Sequence, residues 1–447
     1  MPPTALRLGL CALALVALCP ASPADDWPQW MGPNRDGVWS ESDILATFPA
    51  EGPKKLWSVP LGGGYSGPAV VGGKVYTMDY HRATGEAENN PAKRNELTGK
   101  ERLICLDAAT GKELWSHVYD CSYHVSYPAG PRCTPTVSGG KVYSLGAMGH
   151  LNCCDAATGT VIWSKDFPKD YRAPVPIWGF CGHPIVHDKL LICLVGGEGS
   201  VAVAFDKDTG KEVWKALSAP ESGYCPPTMI HSGGVSQVVI WHSKSLNGLN
   251  PLTGETYWKA PLEPNYGMSI MAPRQSGQFL FAGGIMGKAA LLKLGDEKTQ
   301  VEVVWRGTGA NAIYPVNATP IVDGGTMYGI DQPGALRAVK LSTGERLWST
   351  FKPVLGEDKD DDYRGVNSGT AFLVKNREQY FLFAETGHLI IAKLTPEKYE
   401  ELSRAKLVEP SNEAFGRKVV WSHPAFANRC VFVRNDKEIA CFSLAAK

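Results

Sequence analysis

A decapeptide that recurs along the chain constrains the fold more than any other feature. Residues 106–115 read LDAATGKELW, and residues 154–163 read CDAATGTVIW. A Thr-Gly pair stands ahead of a tryptophan five times, and these tryptophans are Trp115, Trp163, Trp214, Trp258 and Trp348. The first four are spaced 48, 51 and 44 residues apart, close to the length of one four-stranded propeller blade. The repeat therefore predicts a β-propeller.

Each repeat has the pattern of four short strands joined by tight turns. A strand such as CTPTV (133–137) is followed by KVYSLG (141–146) and by a third strand that ends at the Asp-Ala-Ala-Thr-Gly turn. The aspartate can accept N–H groups of that turn, the glycine supplies a positive φ, and the tryptophan can pack between blades. The residues assigned to this structural motif are Asp107, Gly111, Trp115, Asp155, Gly159, Trp163, Asp206, Gly210, Trp214, Gly254, Trp258, Gly344 and Trp348.

Eight units fit within residues 54–447, so we predict an all-β, eight-bladed propeller of four-stranded blades. The last unit ends one strand short, and residues 54–61 form a tryptophan strand without a blade of its own. We expect this N-terminal strand to complete the last blade and to close the ring, which removes both open sheet edges. Seven blades are the alternative, because the seventh unit carries a charged, helix-like insert at 395–418.

The N-terminus has the layout of a secretory signal peptide over residues 1–24, followed by a leader segment at 25–53. The apolar run 8–18 is too short to span a bilayer, which takes about 20 residues. Leu18 ahead of Cys19 disfavours lipoprotein processing. We therefore expect an exported protein, periplasmic or extracellular, with no transmembrane span in the mature chain.

Charge and cysteine content narrow the classes of partner and cofactor. The chain has 45 basic and 45 acidic residues, and nucleic-acid binding usually needs a basic excess, so no nucleic acid is expected. Two of the 12 cysteines belong to the signal, and the others have no spacing typical of a zinc site, so no metal site is predicted. Disulfides are permitted outside the cytosol, but their connectivity stays open.

The LDAATGKELW phrase resembles the repeat of pyrroloquinoline-quinone (PQQ) dehydrogenases and of PQQ-like propellers that bind no cofactor, among them the outer-membrane assembly lipoprotein of bacterial envelopes. The resemblance covers residues 54–444, and DWPQWMGPNRDGVWSE (26–41) is similar to the leader of exported PQQ-like propellers. Enzymes and scaffolds share the repeat, so the resemblance implies the fold and leaves the function open.

Two functions follow from the resemblance, and the short chain favours the first. One is a non-enzymatic scaffold of the cell envelope that binds protein partners or a small ligand at the channel face. The other is a quinoprotein oxidoreductase that oxidises alcohols or sugars with PQQ and Ca²⁺. Apart from these two, a propeller hydrolase or lyase with an unrecognised site stays open. No catalytic residue is predicted, and no G-x-S-x-G, H-E-x-x-H or P-loop pattern occurs.

The binding site is expected in loops that do not repeat. Connections between successive blades lie on the face opposite the DAATG turns and surround the mouth of the central channel, where a polar insert at 81–101 could act as a lid. PQQ would need an aromatic floor, cations for its three carboxylates and oxygen ligands for Ca²⁺. The candidate ligand-binding residues are Arg132, Trp178, His183, Tyr224, Asn317, Arg364 and Asn367.

Cysteines recur at two places in the repeat. The adjacent Cys153–Cys154 pair resembles the cofactor-side disulfide of methanol-type quinoproteins, but it stands in a third strand that runs away from the mouth, so we expect core packing. Cys133, Cys181 and Cys225 come two or three residues ahead of a proline that opens a blade. We expect these three to lie around the channel mouth.

Overall fold

The computed structural model describes residues 25–359 and 363–446, so the signal peptide predicted at 1–24 lies outside the described residues. Eight antiparallel sheets of four strands make up this part of the chain, and an additional strand joins the first sheet. The predicted all-β, eight-bladed propeller is confirmed, and the seven-bladed alternative is wrong.

The strands of the first half are, in chain order, β1 (Lys55–Pro60), β2 (Ala69–Val71), β3 (Lys74–Thr84), β4 (Asn95–Asp107), β5 (Glu113–Asp120), β6 (Tyr123–Val125), β7 (Thr136–Ser138), β8 (Lys141–Leu145), β9 (His150–Asp155), β10 (Val161–Asp166), β11 (Ile185–His187), β12 (Leu190–Leu194), β13 (Ala202–Asp206), β14 (Glu212–Ala216), β15 (Thr228–Ser232), β16 (Val235–Trp241), β17 (Ser245–Leu249) and β18 (Thr256–Pro261). Blade one is β2–β5 with β6 paired to β4, and blades two, three and four are β7–β10, β11–β14 and β15–β18.

The strands of the second half are β19 (Arg274–Ser276), β20 (Phe279–Gly284), β21 (Lys288–Leu294), β22 (Val301–Arg306), β23 (Ile321–Asp323), β24 (Thr326–Ile330), β25 (Leu336–Lys340), β26 (Arg346–Thr350), β27 (Ala371–Asn376), β28 (Gln379–Ala384), β29 (His388–Leu394), β30 (Tyr399–Lys406), β31 (Asn412–Ala414), β32 (Arg417–Val419), β33 (Ala425–Ala427), β34 (Cys430–Arg434) and β35 (Glu438–Ser443). Blades five, six and seven are β19–β22, β23–β26 and β27–β30, and β31 and β32 form a separate hairpin.

Helices are short. They are α1 (Phe167–Tyr171), α2 (Lys352–Leu355) and a 3₁₀ turn at Asn265–Gly267. Among the described residues, no helix has the length and apolar character needed to cross a membrane.

The ring closes through the N-terminal strand, as predicted. The sheet order of blade eight is β1-β35-β34-β33, and Trp57 of β1 lies opposite Cys441 of β35. The first strand of the ring thus covers the edge that the last strand would otherwise expose. This closure gives the last blade its fourth strand, and the free edges that remain belong to the innermost and outermost strands of the blades.

The repeated turn joins neighbouring blades. Asp107 Oδ1 accepts the Thr110 N–H at 2.9 Å, and Gly111 adopts a φ of 74°. From the adjacent blade, Trp57 Nε1 donates to the Ala108 carbonyl oxygen of this turn at 2.9 Å. A Cβ atom on Gly111 would lie only 2.6 Å from the Trp57 ring. The glycine is therefore required both by the turn conformation and by the indole packed on it.

The same contact recurs around the ring. The pairs of indole donor and carbonyl acceptor in the next blade are Trp115–Ala156, Trp163–Lys207, Trp214–Pro251, Trp305–Leu341 and Trp348–Thr395. Trp258 departs from this pattern. Its Nε1 donates instead to Gln237 Oε1 within blade four, at 2.6 Å.

The prediction of a helix-like insert at 395–418 is wrong. The segment forms β30, the outer strand of blade seven, followed by the β31–β32 hairpin. β30 pairs with β29 along its length, and Arg404 Nε donates to Glu401 Oε1 at 2.6 Å. An outermost strand has one free edge and one wet face, so it tolerates a density of charge that is also typical of an exposed helix.

Residues 25–45, here called the crossing segment, run across the ring on the face of the repeated turns. Trp27 exchanges backbone hydrogen bonds of 2.7 and 2.8 Å with Val70 of β2, and Trp39 N donates to Lys375 O of β27 at 2.8 Å. Between them, the buried Arg35 donates to the carbonyl oxygens of His183, Pro184 and Pro227. The crossing segment therefore closes the central channel at this face.

We predict that Gly159→Ala destabilises the fold more than Gly140→Ala does. Both glycines belong to blade two and have φ near 75° (75° and 74°), so left-handed strain of about 1–2 kcal/mol is common to both substitutions. At Gly159 the new methyl group would also lie 2.4 Å from the Trp115 ring, whereas at Gly140 nothing lies within 4 Å. Overpacking should add about 1–3 kcal/mol. Guanidinium unfolding of the two variants measures the difference, and equal losses would contradict the contact described here.

Candidate functional site

A cavity of about 920 Å³ lies at the mouth of the central channel, on the face opposite the repeated turns. The connections between blades form its walls, and Trp30 of the crossing segment lies at its base. Its volume is within the range of about 300–1,000 Å³ that is typical of ligand sites. The channel is therefore a pocket with a floor and not an open pore.

Aromatic side chains dominate the walls. Trp178 and Tyr224 have ring centroids 5.4 Å apart, and Tyr127 and Trp421 lie 5.8 Å apart on another side. The aromatic residues of the lining are Trp30, Tyr65, Tyr127, Trp178, Tyr224, Tyr266, Phe372, Phe415 and Trp421. Such a surface offers large, rigid apolar contact area, with ring N–H and O–H groups that can orient a ligand.

Two histidines pack against the floor. The Trp30 ring stacks on His183 at 4.9 Å and meets His423 edge-on at 5.5 Å. Burial lowers the pKa of His423 to about 3 and, together with the neighbouring His423 and Arg35, holds the pKa of His183 well below its usual range. Both rings are therefore neutral at pH 7. His183 Nδ1 accepts the Thr134 N–H at 2.9 Å, which places the ring proton of His183 on Nε2.

Arg132 is the one arginine or lysine in the described lining, and backbone carbonyls occupy most of its donors. Its Nε donates at 2.8 Å and its Nη2 at 2.9 and 2.8 Å. The carbonyl acceptors of the guanidinium are those of Trp178, Ser126, Tyr127 and Gly130. Arg132 thus braces the loop that forms the wall and has little capacity left for an anion.

Trp30 and Tyr127 each bring a buried donor to the cavity that has no partner among the described residues. These donors are Trp30 Nε1 and Tyr127 Oη, and Tyr224 Oη is a third. Burial raises the pKa of Tyr127, so its hydroxyl stays protonated at neutral pH. Because buried polar groups are nearly always paired in folded proteins, these three unpaired donors in one cavity are available to the oxygen atoms of a ligand.

The structure brings six of the seven candidate residues to this cavity. They are Arg132, Trp178, His183, Tyr224, Asn317 and Asn367. Arg364 is exposed and does not reach the lining. Its neighbour Tyr363 packs against Phe351 at 5.1 Å, which holds this part of the loop beside blade six and away from the channel.

Sequence reasoning missed Trp30, Tyr127, Trp421 and His423. For His423 a signal existed, because a His-Pro pair occurs at both 183–184 and 423–424. The three aromatic residues stand in segments that do not repeat, so no position within the repeat identified them.

The insert at 81–101 forms the end of β3, the whole loop at 85–94 and the beginning of β4. Pro91 and Ala92 of this loop line the cavity. Asn89 Nδ2 donates to Asn412 Oδ1 in β31 at 2.6 Å. The insert therefore contributes one side of the rim and is tied to the β31–β32 hairpin.

The cysteines lie mostly in the core. Cys181 lines the cavity, and Cys133 and Cys225 are buried directly beside the lining residues Arg132 and Tyr224. Cys225 Sγ, for example, points to the Met271 carbonyl oxygen of blade five at 3.3 Å. The Cys153–Cys154 pair is fully buried in β9, and all ten cysteines of the described chain are free thiols.

The lining does not fit PQQ with Ca²⁺. A planar tricarboxylate needs several cationic partners, and the described lining has only Arg132, which is already engaged. Ca²⁺ takes six to eight oxygen ligands, usually with several carboxylates, and Glu221 is the one carboxylate in the described lining. A nearly uncharged aromatic cavity meets neither requirement.

The closed ring of eight blades, with six tryptophan contacts between neighbouring blades, defines the class of PQQ-like propellers. The chain belongs to the family described as outer membrane protein assembly factor BamB, whose sequence profile matches residues 99–350. An outer membrane protein assembly factor BamB of Shewanella oneidensis is 28% identical over 162 residues. That alignment covers 35% of this chain and 40% of the relative's length.

Solved structures share the fold at low sequence identity. The quinohemoprotein alcohol dehydrogenase of Comamonas testosteroni has a TM-score of 0.59 and 14% identity, over 94% of this chain and 81% of that one. A second such dehydrogenase, from Pseudomonas putida HK5, has a TM-score of 0.57 and 15% identity, over 94% and 80%. The computationally designed protein Ika8 has a TM-score of 0.52 and 12% identity, over 87% and 99%. These likenesses establish the fold and carry no information about activity.

The free energy of unfolding should decrease as the pH falls below about 6.5. His183 and His423 stay neutral in the folded chain, while in the unfolded chain they take up protons near their ordinary pKa. From pH 6.5 down to about 3 the unfolded state therefore binds more protons at His423, which should cost about 1.4 kcal/mol per pH unit, and His183 should add to this slope below pH 6.5. Guanidinium unfolding at a series of pH values measures the slope.

The variant His423→Gln isolates one of these contributions, because it removes one titrating group from the floor. Its stability should depend less steeply on pH than that of the native chain. The exposed His231 offers a control, and His231→Gln should keep the native slope. A native slope in His423→Gln would show that His423 takes up its proton over the same pH range in the folded and unfolded chains, contrary to its burial.

Proposed function

We propose that this chain is a non-enzymatic binding protein of the cell envelope whose channel-mouth cavity holds an extended apolar segment of a partner protein. The open, nearly uncharged aromatic cavity carries the proposal. Aromatic grooves bind extended peptides by packing on apolar side chains while ring donors bond to peptide carbonyls. Trp30 Nε1 and Tyr127 Oη are unpaired donors of this kind.

The family supports a protein partner. Its description names an assembly factor for outer membrane proteins, and the Shewanella relative has the same name. Since the alignment covers only 40% of that relative, its partners are not transferred to this chain. The class of partner, a protein with an extended apolar segment, is what we propose here.

The location follows from the N-terminus. Residues 1–24 have the pattern of a signal peptide, which supports export to the periplasm or beyond. With 45 basic and 45 acidic residues, the charge balance supports partners other than nucleic acid.

Peptides selected from a phage-displayed random dodecapeptide library should bind the purified mature chain. Their affinity for the Tyr127→Phe variant should be lower. This substitution removes a hydroxyl that has no partner among the described residues, so the fold should keep its stability. Loss of one hydrogen bond to the peptide should weaken binding about 3- to 10-fold, measured by isothermal titration calorimetry. Trp178→Ala should weaken it at least 10-fold, because a wall aromatic is lost.

Leu252→Ala provides the control, because Leu252 is an exposed apolar residue in a repeated turn on the opposite face. Its peptide affinities should equal those of the native chain. A library that yields no binding peptide, or peptides that bind Tyr127→Phe and Trp178→Ala with native affinity, would refute the proposed site.

The quinoprotein alternative can be tested on the same preparation. Because the lining offers one engaged guanidinium and one carboxylate, PQQ with CaCl₂ should show no saturable binding. Alcohols and aldoses should give no reduction of an electron-accepting dye. Turnover of either substrate class would show that the chain is an oxidoreductase and would refute the proposed scaffold function.

A further inference from the structure

Three side chains of different metal-binding types converge outside the cavity, at the boundary between blades one and two. Glu101 belongs to β4, Cys121 follows β5 and His150 begins β9. One ligand atom of each lies within 4.8 Å of the other two, and Cys121 Sγ is 3.8 Å from His150 Nδ1. We infer that these residues form a Zn²⁺ site. This inference is independent of the proposed function.

The spacing of the donors matches the size of the ion. Zn–S and Zn–N bonds of about 2.3 and 2.0–2.1 Å in a tetrahedral site place the sulfur and nitrogen about 3.6 Å apart. The observed separation of Cys121 Sγ and His150 Nδ1 is 3.8 Å, so only a small movement would be needed. A set of one sulfur, one nitrogen and one carboxylate oxygen suits Zn²⁺, whereas Ca²⁺ and Mg²⁺ prefer oxygen alone.

The Glu101 carboxylate is positioned by hydrogen bonds in a way that would allow it to bind a cation. It is fully buried, and none of the ion pairs formed by the described residues includes it. Its Oε1 accepts from Tyr123 Oη at 2.6 Å and from Ala147 N at 2.9 Å. Its Oε2 accepts only from Tyr119 Oη, which leaves one lone-pair direction of this oxygen for a metal. A buried carboxylate without a cation is costly, and a bound metal ion would compensate it.

His150 has a second partner that would orient it. Asp166 lies opposite His150 in the pairing of β10 with β9, and Asp166 Oδ2 is 3.9 Å from His150 Nε2. The other oxygen of Asp166 accepts the Lys169 N–H at the start of α1, which restrains the carboxylate. A carboxylate beside the distal nitrogen is typical of metal-binding histidines. The His150 side chain is 32% exposed, so solvent water can provide the fourth ligand.

The mature chain, stripped with a chelator and given a twofold excess of Zn²⁺, should retain one zinc ion per chain after desalting, measured by plasma mass spectrometry. Co²⁺ in its place should give the near-ultraviolet thiolate-to-cobalt charge-transfer band. Cys121→Ser should abolish this band, and His150→Gln should weaken Co²⁺ binding at least 10-fold. Asp166→Asn keeps an acceptor for the α1 cap and should weaken binding about 10- to 100-fold.

Cys181→Ser is the matched control, because Cys181 is a half-buried thiol that lies in the cavity and not in the cluster. Its charge-transfer band should be that of the native chain. Thermal unfolding of the metal-free variants shows whether each is folded, and zinc should raise the melting temperature of the native chain but not of Cys121→Ser. Retention of less than half an ion per chain, or a cobalt band that persists in Cys121→Ser, would overturn the site.

Discussion

The contact between a tryptophan of one blade and the Thr-Gly turn of the next is the interaction on which the rest of the structure depends. The indole N–H bonds to a turn carbonyl, as between Trp57 and Ala108, and the turn glycine leaves room for the ring. Four-stranded sheets with apolar faces on both sides have no stability alone. This contact joins neighbouring blades at their outer strands, and the blades bury each other's faces. The result is a ring whose diameter is set by the number of blades.

A closed ring leaves a hole on its axis, and this chain fills it with its own N-terminal residues. The crossing segment bonds to inner strands of the ring, and its Arg35 donates to the backbone carbonyls of His183 and Pro227. Trp30 then lies across the channel, stacked on His183. The consequence is a cavity that opens on one face only, with an apolar base and neutral histidines beneath its walls.

Enzymes and scaffolds share this architecture, so the difference must lie in the groups at the channel mouth. Here the one guanidinium of the described lining, Arg132, is consumed by loop carbonyls, and the walls consist of aromatic rings. Recognition of an apolar segment needs such a surface, whereas a tricarboxylate quinone with its cation needs more charged partners than Arg132 and Glu221 of the described lining. Glu101, Cys121 and His150 lie outside this cavity, so a metal ion bound by them would not contact a ligand in the cavity.

What the sequence alone determined is the ring: its eight blades, its closure by the N-terminal strand, and the structural role of the repeated turn. These features depend on local, periodic signals, because each strand and turn is specified within about ten residues and every blade repeats them. The same locality explains the failure at 395–418, where the charge of an outer strand is also typical of a helix. The channel-mouth face could also be predicted, with six of seven named residues, since strand alternation decides on which face a loop lies.

Only the tertiary structure decided what meets at the centre and at the blade boundary. Trp30 became the base of the cavity because the crossing segment spans the whole ring, a path that no periodic pattern encodes. Glu101, Cys121 and His150 are 20 and 29 residues apart, unlike any short zinc motif, and are brought together by β4, β5 and β9 of adjacent blades. Contacts of this kind depend on how non-repeating loops pack against one another, and that is decided by the assembled ring and not by any local segment.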